Sequence, residues 1–238
     1  PKVNTVFFGG GTPSYLPQGH LGRILGATKR AFPLAVEAEI TVEANPGDLD
    51  QDSCCKLLDQ GVNRLSIGTQ SLDSGLLALL GRRHSVDQAV AALAAARNAG
   101  FSNVNLDFMY GIPKQTIDQW TQTMGMLIEL APEHVSLYCL TLEEGTPLQK
   151  WVAEGKFPEP DPDLAAGMYH LAEDTLNDAG YHHYEISNWS WPGYPACHNL
   201  AYWEKRPYLG VGPGAHSSLN HHRFWDVDSP RTYNASVL

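Results

Sequence analysis

Basic charge is what this sequence has least of. Lys and Arg number 16 against 26 Asp and Glu in 238 residues, a formal net charge of −10. A general nucleic-acid binder normally carries a basic face, so that class is excluded. A local basic site for an anionic small molecule is not. Long apolar runs are missing as well. No stretch approaches the roughly 20 residues of a membrane span, and no secretory leader is visible. Cysteine is scarce, with only Cys54, Cys55, Cys139 and Cys197. Their spacing matches neither a zinc nor an iron–sulfur motif. Four cysteines in a chain of this size read as reduced thiols of a cytoplasmic protein, not as a disulfide framework. Internal repeats and low-complexity tracts are absent. A Walker A loop is absent too, because no Lys-Ser/Thr pair follows the glycine cluster Gly9-Gly10-Gly11. Contiguous glycines are not the spaced dinucleotide fingerprint either.

What is present is a core-forming composition, 43% hydrophobic and 18% charged, as ordered globular chains have. Strand patterns fall at Val3–Phe8, Glu39–Glu43, Arg64–Thr69, Asn103–Met109 and His134–Leu140. Helical patterns lie between and after them: Leu21–Phe32, Asp52–Gln60 closed by Gly61, Val86–Ala99 ended by Gly100, Gln115–Leu130, and Leu164–Ala179 ended by Gly180. Strands alternating with helices of this length predict right-handed β-α units and a parallel sheet. An open doubly wound sheet and a full or partial barrel both fit.

The alternation within the strands is the sharpest local signal. Side chains along a strand point to opposite faces with period two. Ile40 and Val42 oppose Thr41 and Glu43. Leu65 and Ile67 oppose Ser66, Gly68 and Gln70. Val104, Leu106 and Phe108 oppose Asn103, Asn105 and Asp107. Val135 and Leu137 oppose Ser136 and Tyr138. Parallel sheets are normally covered on both faces, so a polar inner face predicts a lumen that admits a polar ligand and water. The alternative is a solvent-exposed sheet face. Thr12, Glu43, Gln70 and Asp107 are expected at or just past the C-terminal ends of their strands, where β/α folds place their sites. Two carboxylates and an amide suit a ligand with ammonium and hydroxyl groups. Arg82 is available to a carboxylate. Ahead of them, Gly9-Gly10-Gly11-Thr12-Pro13 leaves the backbone bare for close approach of a ligand, and Pro13 stops the first strand.

Taken together these stretches resemble a known family. Gly9-Gly10-Gly11-Thr12-Pro13 is similar to the motif that holds the amino group of S-adenosylmethionine (SAM) in radical SAM proteins. Val42-Glu43-Ala44-Asn45-Pro46, Ser66-Ile67-Gly68-Thr69-Gln70-Ser71, Gly81-Arg82-Arg83-His84 and Asp107-Phe108-Met109-Tyr110-Gly111-Ile112-Pro113 resemble the oxygen-independent coproporphyrinogen III oxidase-like family, in particular its heme chaperone branch. The resemblance implies a partial (β/α)6 TIM-like barrel with outer helices and a C-terminal extension. It implies that Gly10, Gly11, Thr12, Glu43, Gln70, Arg82 and Asp107 line a SAM pocket. It also implies a [4Fe–4S] cluster in the intact protein, bound by a Cys-x-x-x-Cys-x-x-Cys motif that this sequence lacks and that would precede Pro1. The chain is thus expected to be a piece of a longer protein, and on its own to lack the radical step.

The C-terminal part carries His198-Asn199-Leu200-Ala201-Tyr202-Trp203. This resembles the His-Asn-x-x-Tyr-Trp motif associated with heme in the chaperone branch, and it makes His198 the candidate heme ligand. Cys197 is a second candidate, and a structural role for His198 in a loop is the alternative. The resemblance implies heme or porphyrin as the partner, and heme-acceptor proteins beyond it. Oxidation of coproporphyrinogen III is the second function the family allows. The proline-rich stretch Gly155–Pro162 is the expected boundary between a core (residues 1–157) and its extension (residues 158–238), with the family's further C-terminal domain absent. Phe224–Asp228 reads as a further short strand.

Overall fold

Branched and aromatic residues crowd the expected strands, and each of those strands forms. β1 spans Val3–Phe8, β2 Leu34–Ala44, β3 Arg64–Gln70, β4 Val104–Tyr110 and β5 His134–Cys139. They pair in chain order, all in parallel, with registers such as Val42 to Leu65, Ser66 to Asn105 and Asp107 to Ser136. This is a computed structural model, and it describes residues 2–17 and 19–237. By contact density the chain divides into two units, Pro1–Pro195 and Ala196–Leu238.

The crossovers of the first unit are helical. They are α1 (His20–Ala31), α2 (Gln51–Gln60), α3 (Ser74–Leu79), α4 (Val86–Ala99) and α5 (Ile117–Leu130). Capping explains several of their ends. Asp50 with Ser53, Ser85 with Gln88 and Thr116 with Gln119 each form a reciprocal capping box, satisfying first-turn amides. Gly61 and Gly100 close α2 and α4 in the left-handed conformation. After β5 come α6 (Pro147–Ala153) and α7 (Pro162–Asp178). The sequence does not disclose α3 or α6, because six or seven residues are too few to show a period; Asp73 and Thr146 cap them.

After α7 a polar hairpin, β6 (His182–Glu185) and β7 (Asn188–Ser190), joins the sheet antiparallel, with β7 against β5. The sheet therefore curls through five parallel strands and ends in an antiparallel pair. With helices packed outside, this is a mixed α/β half-barrel. The outer face holds the core: Val42, Leu65, Ile67, Leu106, Phe108, Val135 and Leu137 lie buried with Leu25, Leu93, Met124, Leu127, Met168 and Leu176. Each such side chain contributes about 1.5–3 kcal/mol. Trp120 of α5 is fully buried and donates its indole N–H to the Met168 carbonyl at 2.8 Å. Ala165, Met168, Ala172 and Leu176 of α7 belong to this same core, so the expected boundary at 157/158 lies within the first unit.

The second unit begins with α8 (Cys197–Trp203) and continues through a hairpin of β8 (His216–Leu219) and β9 (His222–Trp225) to α9 (Pro230–Val237). Asn220 and His221 make the tight turn, with φ of 51° and 65°. Positive φ at both central residues is what a two-residue hairpin of this hand requires. The strand expected at Phe224–Asp228 thus starts two residues earlier and stops at Trp225.

Candidate functional site

The glycine loop is tied to the end of β2. A Cβ on Gly9 would lie 2.6 Å from the Phe7 ring and 3.1 Å from the Glu43 carboxyl carbon, so only glycine fits without displacement. Gly10 and Gly11 have φ of 76° and 61°, a region L side chains enter with strain. The Gly10 N–H donates to Glu43 Oε2 at 3.1 Å. Beyond it, Thr12 Oγ1 accepts from Asn45 Nδ2 at 3.2 Å, and the Ser14 hydroxyl donates to Asp48 at 2.8 Å.

The polar faces of the strands meet on the inner side of the sheet in one hydrogen-bond network. Asn105 Nδ2 donates to Asp107 Oδ1 at 2.8 Å and to Ser66 Oγ at 2.7 Å, and the Ser66 hydroxyl donates to Asp107 Oδ2 at 3.2 Å. Asn105 Oδ1 is then left to accept from His134 Nδ1 at 2.7 Å; the Ser136 hydroxyl lies 3.1 Å from the same oxygen but has Asn188 Oδ1 as its closer acceptor, at 2.6 Å. With Nδ1 protonated, His134 Nε2 accepts from the Tyr184 hydroxyl at 2.8 Å. A directed chain therefore runs Tyr184, His134, Asn105, Asp107. Deeper on the same face, Thr41 Oγ1, Arg64 Nε and Asn103 Oδ1 are buried without hydrogen-bond partners among the described residues.

The electrostatics follow from this crowding. Burial raises Glu43 above the usual carboxylate range; the Gly10 N–H opposes the rise and the Asp107 charge adds to it. Burial also raises Asp107, against the hydrogen bonds from Asn105, Ser136 and Ser66 and the Arg64 charge. His134 is pushed well below its ordinary value, first by burial and then by Arg64, which keeps the imidazole neutral as the chain requires. Burial lowers Arg82, and Asp107 partly offsets the effect.

The structure thus joins Gly10 to Glu43 directly, sets Glu43 and Asp107 in mutual repulsion, and brings Arg82 within the field of Asp107. Gln70 ends β3 with φ of 65°, after a register slip beyond Ile67, and its amide lies against Gly68. Asp107 is a correction: it sits in the middle of β4, not at its C-terminal end. The strand continues to Tyr110, whose ring packs against Trp120 and Tyr169. Arg64, His134, Tyr184 and Asn188 are inner-face residues that sequence reasoning missed. Arg64 and His134 share strand parity with Ser66 and Ser136, and that parity was the available signal.

The donor set fits SAM. Glu43, the Gln70 amide and bare backbone stand at one rim, Asp107 lies further down the same polar face, and three buried polar atoms of that face lack hydrogen-bond partners among the described residues. The set does not fit an iron–sulfur cluster. Among the described residues no three His, Cys, Asp or Glu stand together as metal ligands, and Cys54, Cys55, Cys139 and Cys197 form no disulfide. In the second unit, His198 Nε2 lies 2.9 Å from the Tyr202 hydroxyl one helical turn on, and the Tyr202 and Tyr208 rings meet edge to face at 4.7 Å.

A half-barrel with a glycine loop at one rim and a polar inner face defines the class, and residues 1–127 match the model of the Radical SAM superfamily. The chain belongs to that superfamily. It is 41% identical over 235 residues to heme chaperone HemW of Synechocystis, covering 98% of this chain and 56% of that protein. It is 45% identical over 215 residues to the mouse protein named radical S-adenosyl methionine domain-containing protein 1, mitochondrial, covering 90% of this chain and 49% of that one. Among solved structures, coproporphyrinogen III oxidase (HemN) of Escherichia coli superposes with a TM-score of 0.86 at 25% identity, over 99% of this chain and 57% of that chain. The chain thus spans roughly half the length of the relatives it matches. Among the described residues no helix is long and apolar enough to cross a membrane.

Proposed function

We propose that this chain is the SAM-binding core of a heme chaperone, with Gly10, Gly11, Thr12, Glu43, Gln70, Arg82 and Asp107 as the SAM pocket and His198 as a heme ligand. The observation that carries the SAM reading is the Gly10–Glu43 contact, which sets a carboxylate beside bare backbone at the rim of a polar lumen. Glu43 offers an acceptor to the ammonium group, Asp107 an acceptor to ammonium or ribose hydroxyls, and Arg82 a partner to the carboxylate. SAM supplies a sulfonium carbon–sulfur bond whose reductive cleavage yields a radical. The described residues bind and orient it but do not ligate the cluster that cleavage needs.

The heme reading is supported by similarity to proteins named heme chaperone HemW at about 40% identity. In α8, Tyr202 occupies His198 Nε2, so coordination through that nitrogen requires the Tyr202 hydroxyl to turn away. Heme-acceptor proteins are the onward partners this reading entails. Hemin titration of the chain beside its His198→Ala variant tests it. A Soret shift in the parent and none in the variant is expected; identical shifts remove His198. The likeness to coproporphyrinogen III oxidase favours a second reading, oxidative decarboxylation of that porphyrinogen. Product analysis of the full-length reduced protein decides it, and an absence of protoporphyrinogen rejects it.

A further inference from the structure

The second unit contains a cleft of about 570 Å³ lined by Tyr202, Lys205, Arg206, Tyr208, His216 and Arg223. That volume lies within the roughly 300–1,000 Å³ of small-molecule sites. The whole chain carries −10, yet residues 196–238 hold four Lys and Arg against three Asp and Glu. The fold gathers three of those cations. Lys205, at φ of 55°, turns the chain after α8, and the Arg206 N–H bonds back to the Ala201 carbonyl at 2.8 Å. This closes the helix with a left-handed residue and sets both cations at its end. Tyr208, which also lines the cleft, pairs with Ser218, and Ser218 pairs with Arg223 in the β8–β9 register. Arg206 is ion-paired with Glu204, while Lys205 and Arg223 have no ion pair among the described residues.

We propose that this cleft binds the carboxylate arms of a tetrapyrrole: Lys205 and Arg223 take the carboxylates, and Tyr202 and Tyr208 pack beside the macrocycle. The proposal rests on the heme reading and adds the part of the ligand that does not involve iron. Two cations without ion-pair partners lining one cleft match a ligand with two carboxylates, and a guanidinium binds a carboxylate through two parallel hydrogen bonds. The tyrosines supply flat apolar surface. Tyr202 joins the cleft to His198, since its hydroxyl lies 2.9 Å from Nε2 while its ring meets Tyr208. One residue thus lies between the candidate axial ligand and the cationic wall.

The test uses metal-free protoporphyrin IX and its dimethyl ester in the same dilute detergent, with binding to the whole chain read by tryptophan quenching. Without iron, neither probe depends on an axial ligand. The diacid should bind about tenfold tighter than the ester, and the gap should narrow as salt is raised. A Lys205→Gln, Arg223→Gln double variant should lose that tenfold for the diacid and none for the ester, and Arg223→Lys should retain part of it. Both side chains are exposed, so an unchanged circular dichroism spectrum is expected of each variant. Equal affinity for diacid and ester in the parent, or full diacid affinity in the double variant, overturns the proposal. If His198→Ala leaves the hemin Soret band unaltered while diacid affinity still depends on Lys205 and Arg223, the axial-ligand reading fails and the cleft stands.

Discussion

The Gly10 amide and the Glu43 carboxylate meet at 3.1 Å although 33 positions separate them. The bond holds the carboxylate at the rim and offsets part of the cost of its burial. Glu43→Gln keeps the shape and removes the charge. A hydrogen bond to a charged group contributes about 1.5–3 kcal/mol, so SAM affinity should fall roughly 10- to 100-fold, as calorimetry would read. Thermal stability should hold or rise slightly, because the repulsion between Glu43 and Asp107 disappears. An unchanged Kd would count against the pocket.

Proton linkage gives a second expectation. Glu43 and Asp107 both titrate above the usual carboxylate range. The folded chain therefore holds these protons more tightly than the unfolded chain. Their contribution favours folding at pH below the ordinary carboxylate range and is lost as pH rises through the raised values. SAM binding has the opposite sign, because an ammonium and a sulfonium want ionised carboxylates. Affinity should weaken as pH falls through the raised values, and calorimetry in buffers of different ionisation enthalpy should show protons released on binding. Glu43→Gln should remove part of that release. A Kd flat over this range with no proton release contradicts the assignment.

The inner network predicts an effect on stability. Asn105→Leu keeps the volume but leaves His134 Nδ1–H without its acceptor and removes a donor from both Asp107 and Ser66, while the Ser136 hydroxyl keeps Asn188 Oδ1 at 2.6 Å. Each buried group left unpaired costs about 1–3 kcal/mol. A loss of about 2–4 kcal/mol in urea unfolding is expected, with SAM affinity falling as Asp107 is freed to rotate. A loss below about 0.5 kcal/mol would mean that water replaces the amide.

The half-barrel was legible because its strands are long and alternate cleanly; Val42 and Leu106 face the helices while Glu43 and Asn105 face inward, as their parity predicts. The β6–β7 hairpin was not, because four- and three-residue strands rich in polar groups carry no period, and β5, the strand on which β7 docks, is distant in sequence. The glycine loop and Glu43 could be found from local chemistry. Arg64, His134 and Tyr184 could not be ranked, because their role depends on which residues they meet across strands. The division at Pro195 is marked only by the short run Pro192, Gly193 and Pro195, whereas the longer proline run of Gly155–Pro162 leads into a helix of the core.

Gln70 shows how the site and the fold compete. At φ of 65° it holds a conformation that costs a non-glycine residue about 1 kcal/mol or more, and its amide folds back against Gly68. Gln70→Gly relieves that strain but adds about 0.5–1 kcal/mol of unfolded-chain entropy. The two nearly cancel, so the melting temperature should stay within a few degrees of the parent. Gln70→Val places a β-branched residue at positive φ and should cost about 2 kcal/mol. Both variants remove the amide from the rim, so SAM affinity should drop in each by a similar factor despite their different stabilities. Affinity that tracks stability instead would make Gln70 a turn residue and remove it from the pocket.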